Sequence, residues 1–115
     1  MAERTIAEIN EAVAIRMGWH KTCDGIWAHQ NHGLRFPEFC HDAALADEFR
    51  EFVGSQEWFG GIVANKDHER GVWDIYIKGC SGANAYPGHE QAVTYNEAST
   101  RACLLACEAQ EGEAK

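Results

Sequence analysis

Two segments in the first half of the chain carry apolar residues at the spacing of an amphipathic helix. Thr5, followed three residues later by Glu8, has the pattern of a capping box, and Gly18 is typical of a helix end. Asp42 is a typical N-cap for a second helix, which we predict to end at Gly54. The predicted inward positions are Ile6, Ile9, Val13 and Met17 in the first helix and Leu45, Phe49, Phe52 and Val53 in the second.

A third helix is predicted near the end of the chain. Thr94 and Glu97 form another capping-box pattern, and helical spacing continues to about Ala109. We expect residues 110–115 to fray. Small residues dominate the predicted inward seam and allow close packing on a sheet; the seam consists of Ala98, Ala102, Leu105, Ala106 and Ala109.

Four short segments rich in aromatic and β-branched residues predict two hairpins. The stretch 29–39, which contains Gly33 and Pro37, is predicted to be mostly loop or edge strand. The predicted strands are Trp19–Lys21 and Ile26–Ala28 around a turn at 23–25, and Trp58–Ala64 and Val72–Lys78 around a charged tip at 65–71.

The predicted order of elements is α-β-β-α-β-β-α, which indicates the α+β class. We expect a small antiparallel or mixed sheet of about four strands, covered by three helices in a three-layer-like sandwich. With 115 residues the chain is long enough for one domain and too short for two of ordinary size. A single domain over residues 1–115 is therefore predicted.

The charge balance excludes some partners. Eighteen Asp and Glu residues against ten Lys and Arg give a net charge of -8, which disfavours direct binding to nucleic acid or to anionic membranes. The first residues lack the pattern of a secretory leader, and no apolar run approaches the roughly 20 residues of a membrane span. Five cysteines without a CxxC pair fit reduced thiols, so an intracellular protein is expected.

Several local patterns resemble one known family, the phage ABA sandwich domains, which are small proteins encoded by bacteriophages and prophages. The resemblance implies a helix-sheet-helix sandwich and a phage origin, and it brings no established active site. The matching pieces are Ile9–Trp19 (INEAVAIRMGW), Trp27, Phe36–Phe39 (FPEF) leading through Asp42 into the second helix, Thr94, and Ala98–Ala106 (ASTRACLLA).

Common catalytic patterns, such as GxSxG, HExxH and the P-loop, do not occur in the sequence. Cys40 and His41 combine a nucleophile type with a base type, but neighbours in sequence rarely face one another. His29 and His32 are the only plausible pair of metal ligands near Cys23. We therefore expect no enzyme activity, no cofactor and no metal site.

The acidic excess is concentrated in residues 38–57, which hold six acids and one basic residue, Arg50. Such a segment can present carboxylates to the basic channel of a partner protein, or it can be a solvated face that maintains solubility. The candidate partner-binding residues are Glu38, Asp42, Asp47, Glu48 and Glu51.

Two apolar residues interrupt the polar faces of their helices. Ile15 lies among glutamates of the first helix, and Leu104 is predicted to project opposite the alanine seam of the third. We expect each to be exposed in a monomer or buried at a partner contact, which favours a homodimer or binding to a host protein.

An alternative site for a small ligand involves the loop Gly79–His89, which has three glycines and a proline. Aromatic rings could stack on a base, while a guanidinium and backbone N–H groups could meet phosphates. The candidate residues are Trp27, Arg35, Tyr86 and His89.

These observations lead to one functional expectation and two alternatives. We expect a non-enzymatic phage accessory protein in the cytoplasm of an infected bacterium, where it binds and inhibits an antiviral defence component as anti-CRISPR-type inhibitors do. The first alternative is a sponge that sequesters a nucleotide signal of host immunity. The second is a structural or regulatory phage protein with no immune target.

Overall fold

The computed structural model describes residues 4–79 and 88–113, with side chains in the second range described through Glu111. Over these residues the α+β class is confirmed, with three helices and six strands in two antiparallel sheets. The elements are α1 (Ile6–Arg16), β1 (His20–Lys21), β2 (Trp27–His29), β3 (Gly33–Leu34), α2 (Ala43–Gly54), β4 (Phe59–Asp67), β5 (Val72–Gly79), β6 (Gly88–Ala92) and α3 (Tyr95–Glu113).

The smaller sheet has the strand order β1-β2-β3 and contains the first predicted hairpin. Its turn is closed by the N–H of Thr22, which donates to the carbonyl of Ile26 at 2.8 Å. Gly25 has a φ of 80° in this turn, a conformation that favours glycine. The third strand lies in the stretch 29–39, which was predicted to be loop or edge strand.

The larger sheet has the order β4-β5-β6 and contains the second predicted hairpin. Its first strand continues to Asp67, so the tip is shorter than expected. The start of β6 corrects the sequence analysis, because Gly88 and His89 were expected in a loop and instead pair with β5. The sequence of β6, GHEQA, has little strand propensity of its own, so the pairing partner decides its conformation. Residues 80–87 of the predicted loop lie outside the described residues.

One face of the larger sheet carries the helices. On β5 the side chains alternate between the two faces, since Ile75 and Ile77 are fully buried and Lys78 is exposed. α3 packs on β5 and β6, and α1 and α2 pack in turn against α3. The core therefore lies around α3, between the sheet and the other two helices.

The backbones of β6 and α3 pack directly against each other at Gly88. A Cβ atom placed on Gly88 would lie 2.2 Å from the carbonyl oxygen of Ala102, so only glycine fits there. The predicted seam is confirmed at Ala98, Ala102 and Ala106, which are fully buried. Small residues on α3 let the helix axis approach the strand.

Leu104 corrects the prediction that it is exposed, because only 1% of its surface is accessible. The prediction assumed that α3 is covered on one side alone. In the structure α3 is covered on both sides, by the larger sheet and by α1 and α2, so the position opposite the seam is also interior. Ile15 is exposed as predicted, with 62% of its surface accessible.

Two further expectations about helices are wrong. Phe52 was placed on the inward stripe of α2, but it is 37% exposed and packs at the side of Phe49. Helix α3 continues to Glu113 where fraying was expected from residue 110. An ion pair 2.5 Å long between Arg16 and Glu111 ties this last part of α3 to α1.

Substitution of Gly88 by alanine is expected to lower the free energy of unfolding by at least about 2 kcal/mol, since the added methyl group meets helix backbone that cannot rotate away. Urea denaturation measures this loss. The matched control is Gly54→Ala, where the new Cβ lies 3.9 Å from the nearest atom and helix propensity improves. Equal stability of Gly88→Ala and the unmodified chain would contradict the close packing.

The cap of α2 supplies a second prediction. The Asp42 carboxylate accepts hydrogen bonds from the N–H groups of Ala44 and Leu45, so Asp42→Ala is expected to cost about 1 kcal/mol of unfolding free energy. Asp42→Asn retains a capping oxygen and removes the charge, so it should cost less.

The charge of Asp42 also makes a pH-dependent contribution. The N–H of Leu45 and then the Arg35 guanidinium hold the pKa of Asp42 below its usual range. A lowered folded-state pKa stabilises the fold above the ordinary carboxyl pKa, and this contribution is lost as the pH falls through the lowered value. The advantage of the unmodified chain over Asp42→Asn should therefore be present at neutral pH and shrink below about pH 4 in denaturation series. A constant difference across that range would refute the assignment.

Candidate protein-binding surface

The outer side of the smaller sheet exposes three large apolar side chains, which we call the apolar patch. Ile26 is 47% exposed, Leu34 68% and Phe36 55%. Together with Trp27 and Arg35 they line an open cavity of about 310 Å³. Large apolar side chains grouped at a surface are typical of interaction sites.

The local sequence explains why these residues face outward. Trp27 points into the core with 8% exposure, so its strand neighbour Ile26 faces the other side. After β3 the chain turns inward, where Pro37 and Phe39 are buried. The patch was not predicted from the sequence, where residues 29–39 were expected to be mostly loop or edge strand.

An ion pair joins the apolar patch to the start of α2, the helix within the acidic segment 38–57. Arg35 donates to the Asp42 carboxylate at 2.6 Å, while Asp42 also caps α2. The predicted partner-binding residue Asp42 and the predicted ligand-binding residue Arg35 therefore belong to one surface. The Arg35 guanidinium is thus engaged by Asp42, and the Asp42 carboxylate is engaged by Arg35 and by the N–H groups that it caps.

The other acidic candidates divide into two kinds. Asp47 forms an ion pair with Arg50, and the Glu48 carboxylate lies 2.8 Å from the Nε2 atom of His32. Glu38 and Glu51 are exposed and form no ion pair within the described residues. The acidic face is therefore partly neutralised, and its unpaired charges lie at the two ends of the predicted segment and along the outside of α2.

Arg50 is held by several partners at the same time. Its guanidinium donates to the Ser99 hydroxyl at 2.9 Å and lies 5.0 Å from the centre of the Tyr95 ring. Because Arg50 lies on α2, these contacts hold α2 against α3. Arg50 is also the basic residue within the acidic face of α2. Sequence distance conceals this link, which spans more than forty positions.

His29 and His32 do not form a ligand pair for a metal. The Nδ1 atom of His29 accepts the N–H of Asn31 at 3.1 Å, so the Nε2 atom carries the proton and donates to the carbonyl of Met17. His32 stacks on Trp19 at a ring distance of 5.3 Å and contacts Glu48. Among the described residues, no three His, Cys, Asp or Glu side chains are grouped so that they could hold a metal ion.

The described residues of the alternative ligand site are not brought together. Trp27 and Arg35 line one cavity, but His89 lies on the larger sheet, where its ring stacks on Tyr76 at 4.1 Å. The Nε2 atom of His89 is 3.3 Å from the Asp74 carboxylate. Tyr86 and most of its loop lie outside the described residues.

The neighbours Cys40 and His41 do not face each other, because Cys40 is fully buried and His41 is exposed. Burial raises the pKa of the Cys40 thiol to about 11. It also raises the pKa of Cys103 to about 12 and that of Cys107 to about 11. These thiols remain protonated at neutral pH and are poor nucleophiles.

Thiol labelling should distinguish the exposed Cys23 from the three buried thiols. In a Cys80→Ser background, iodoacetamide at pH 8 is expected to modify the exposed Cys23 quickly and the three buried thiols only after unfolding. Mass spectrometry of the native and the urea-denatured chain measures the sites. A Cys23→Ser variant is the control and should stay unlabelled when folded. Rapid native labelling of Cys40 would contradict its burial.

None of the helices in the described residues combines the length and the apolar character that crossing a membrane requires. No protein-family model matches the chain. Neither the curated proteins nor the solved structures give a significant match to it. The surface itself therefore carries the functional argument.

Proposed function

We propose that this chain is a non-enzymatic phage accessory protein that binds and inhibits a component of bacterial antiviral defence in the cytoplasm of the infected host, as anti-CRISPR-type inhibitors do. The resemblance to phage ABA sandwich domains supports the phage origin. The three-layer-like sandwich belongs to the same proposal, and it is supported by the packing of α3 on β5 and β6 and of α1 and α2 on α3.

The observation that carries the proposal is the exposure of Ile26, Leu34 and Phe36 on a single surface. Covering such side chains with a partner contributes on the order of 1–3 kcal/mol each, which is enough for a few of them to dominate an interface. A protein interface usually has an apolar centre and a polar rim. Here the rim is supplied by the acidic segment that begins at Glu38.

The charge of this rim favours a basic partner. Glu38 and Glu51 are exposed and unpaired within the described chain, and residues 38–57 carry six acids against Arg50. Complementary charge speeds association and selects between partners more than it adds affinity. A basic nucleic-acid channel with an apolar pocket at its edge is the partner surface that fits best.

The residues of the cavity beside the apolar patch favour a protein partner over a nucleotide. Trp27 is a core residue and has little ring surface to offer a base. The Arg35 guanidinium is already paired with Asp42, so a phosphate would have to displace that carboxylate. A nucleotide sponge built on these residues is therefore the weaker alternative.

The test is a phage plaquing assay in hosts that each carry one defence system and express this chain. The double variant Leu34→Ser and Phe36→Ser should lose inhibition, because loss of two anchors weakens partner binding by roughly thirtyfold or more. The matched control is Val93→Ser, which removes an equally exposed apolar side chain from the segment between β6 and α3. Thermal unfolding checks that both variants fold.

Further arms of the assay separate the alternatives. Charge reversal of Glu38 and Glu51 to lysine should weaken inhibition, and affinity for the identified target should fall as salt rises. Full activity of the Leu34→Ser and Phe36→Ser double variant would sink the proposal. A thermal shift with cyclic nucleotides that is lost in Arg35→Ala would support the sponge instead. Absence of any effect in every host would favour a structural or regulatory phage protein.

A further inference from the structure

A second cavity of about 390 Å³ lies where the ends of α1, α2 and α3 meet the start of β4. It shares no lining residue with the cavity beside the apolar patch. Phe52 from α2 and Trp58 from the segment before β4 form its aromatic part. The volume lies within the range of small-molecule sites, about 300–1,000 Å³.

The position of Phe52 distinguishes this cavity from a packing gap. The neighbouring positions of its helix, Phe49 and Val53, are fully buried, whereas Phe52 is 37% exposed and lines the cavity. Its ring packs at 6.4 Å from the ring of Phe49, with an angle of 15° between the planes. Phe52 is thus supported from behind by the core while its other side is open to the cavity.

The charged groups at the cavity are mutually neutralised. Arg16 donates through Nε and one terminal nitrogen to both carboxylate oxygens of Glu111, at 3.0 and 2.5 Å. Its other terminal nitrogen donates to the carbonyl of Ala12. An anionic ligand would have to break this paired arrangement, so the cavity favours an uncharged one.

Amide groups supply the remaining polar contacts. The side chain of Gln110 makes no hydrogen bond within the described residues and lines the cavity. Gln56 donates through Nε2 to the carbonyl of Phe52 at 3.1 Å, which leaves its Oε1 atom as an acceptor. A free carboxamide presents a donor beside an acceptor, which matches the edge of a heteroaromatic base.

We propose that this cavity binds an uncharged planar heteroaromatic compound of the nucleobase or nucleoside class. The ring lies against Phe52 and Trp58, and its donor–acceptor edge meets the Gln110 amide. This site is independent of the apolar patch, so each proposal stands or fails without the other.

The test uses adenosine, adenosine monophosphate and ribose as probes in ¹⁵N-labelled full-length protein. The indole N–H signals of the four tryptophans are followed by NMR, with Trp58→Phe identifying the signal of Trp58. Adenosine should shift that signal saturably at millimolar concentration and leave Trp27 unmoved. The monophosphate should bind no more than about twofold tighter, because Arg16 is already paired. Ribose should have no effect.

Variants locate the site and separate it from the first surface. Phe52→Leu keeps an apolar side chain and removes the ring, so adenosine affinity should fall at least about fivefold. Gln110→Ala should weaken adenosine too, whereas Phe36→Ala is the matched control and should leave the affinity unchanged. Thermal unfolding confirms that each variant folds.

Three results would overturn the proposal. They are no shift of the Trp58 signal at millimolar adenosine, an unchanged affinity in Phe52→Leu, and a monophosphate affinity more than about tenfold above that of adenosine, which would indicate phosphate recognition. If the first of these results comes with a shift confined to Trp27, the ligand lies at the apolar patch.

Discussion

The close approach of β6 to α3 is the constraint on which the rest of the fold depends. Because Gly88 meets the backbone of Ala102 directly, α3 lies low enough on the larger sheet for its far side to accept α1 and α2. α3 therefore lies in the interior of the fold, with the larger sheet on one side and α1 and α2 on the other. A side chain at Gly88 would lift it and loosen both layers at once, which is why small residues continue along the helix at Ala98 and Ala106.

Features encoded by local pattern were predictable, and features decided by distant partners were not. The caps at Thr5 and Asp42 and the long second hairpin follow from residues close in sequence. Strand β6 has a polar, glycine-initiated sequence whose conformation is set by pairing with β5. Leu104 was misjudged because helical periodicity reports one buried face, whereas α3 is covered on two.

The candidate surface shows the same division. Composition located the acidic segment, but pairing such as that of Glu48 with His32 depends on how the smaller sheet folds back toward α2. Sequence spacing therefore overstates how many carboxylates of that helix are free of a partner. The apolar patch was missed because short strands of two or three residues leave too little alternation to indicate which side faces solvent.

Within the described parts of the chain, the smaller sheet shares no hydrogen-bonded strand with the larger one. Side chains attach it to the framework, chiefly the buried rings of Trp19 and Trp27 and the contact of His32 with Glu48. The side chains at its outward positions therefore contribute little to the stability of the fold. Ile26, Leu34 and Phe36 can therefore be exchanged for other side chains at little cost to the helical framework, so the outer side of this sheet can change its chemistry without a change of fold.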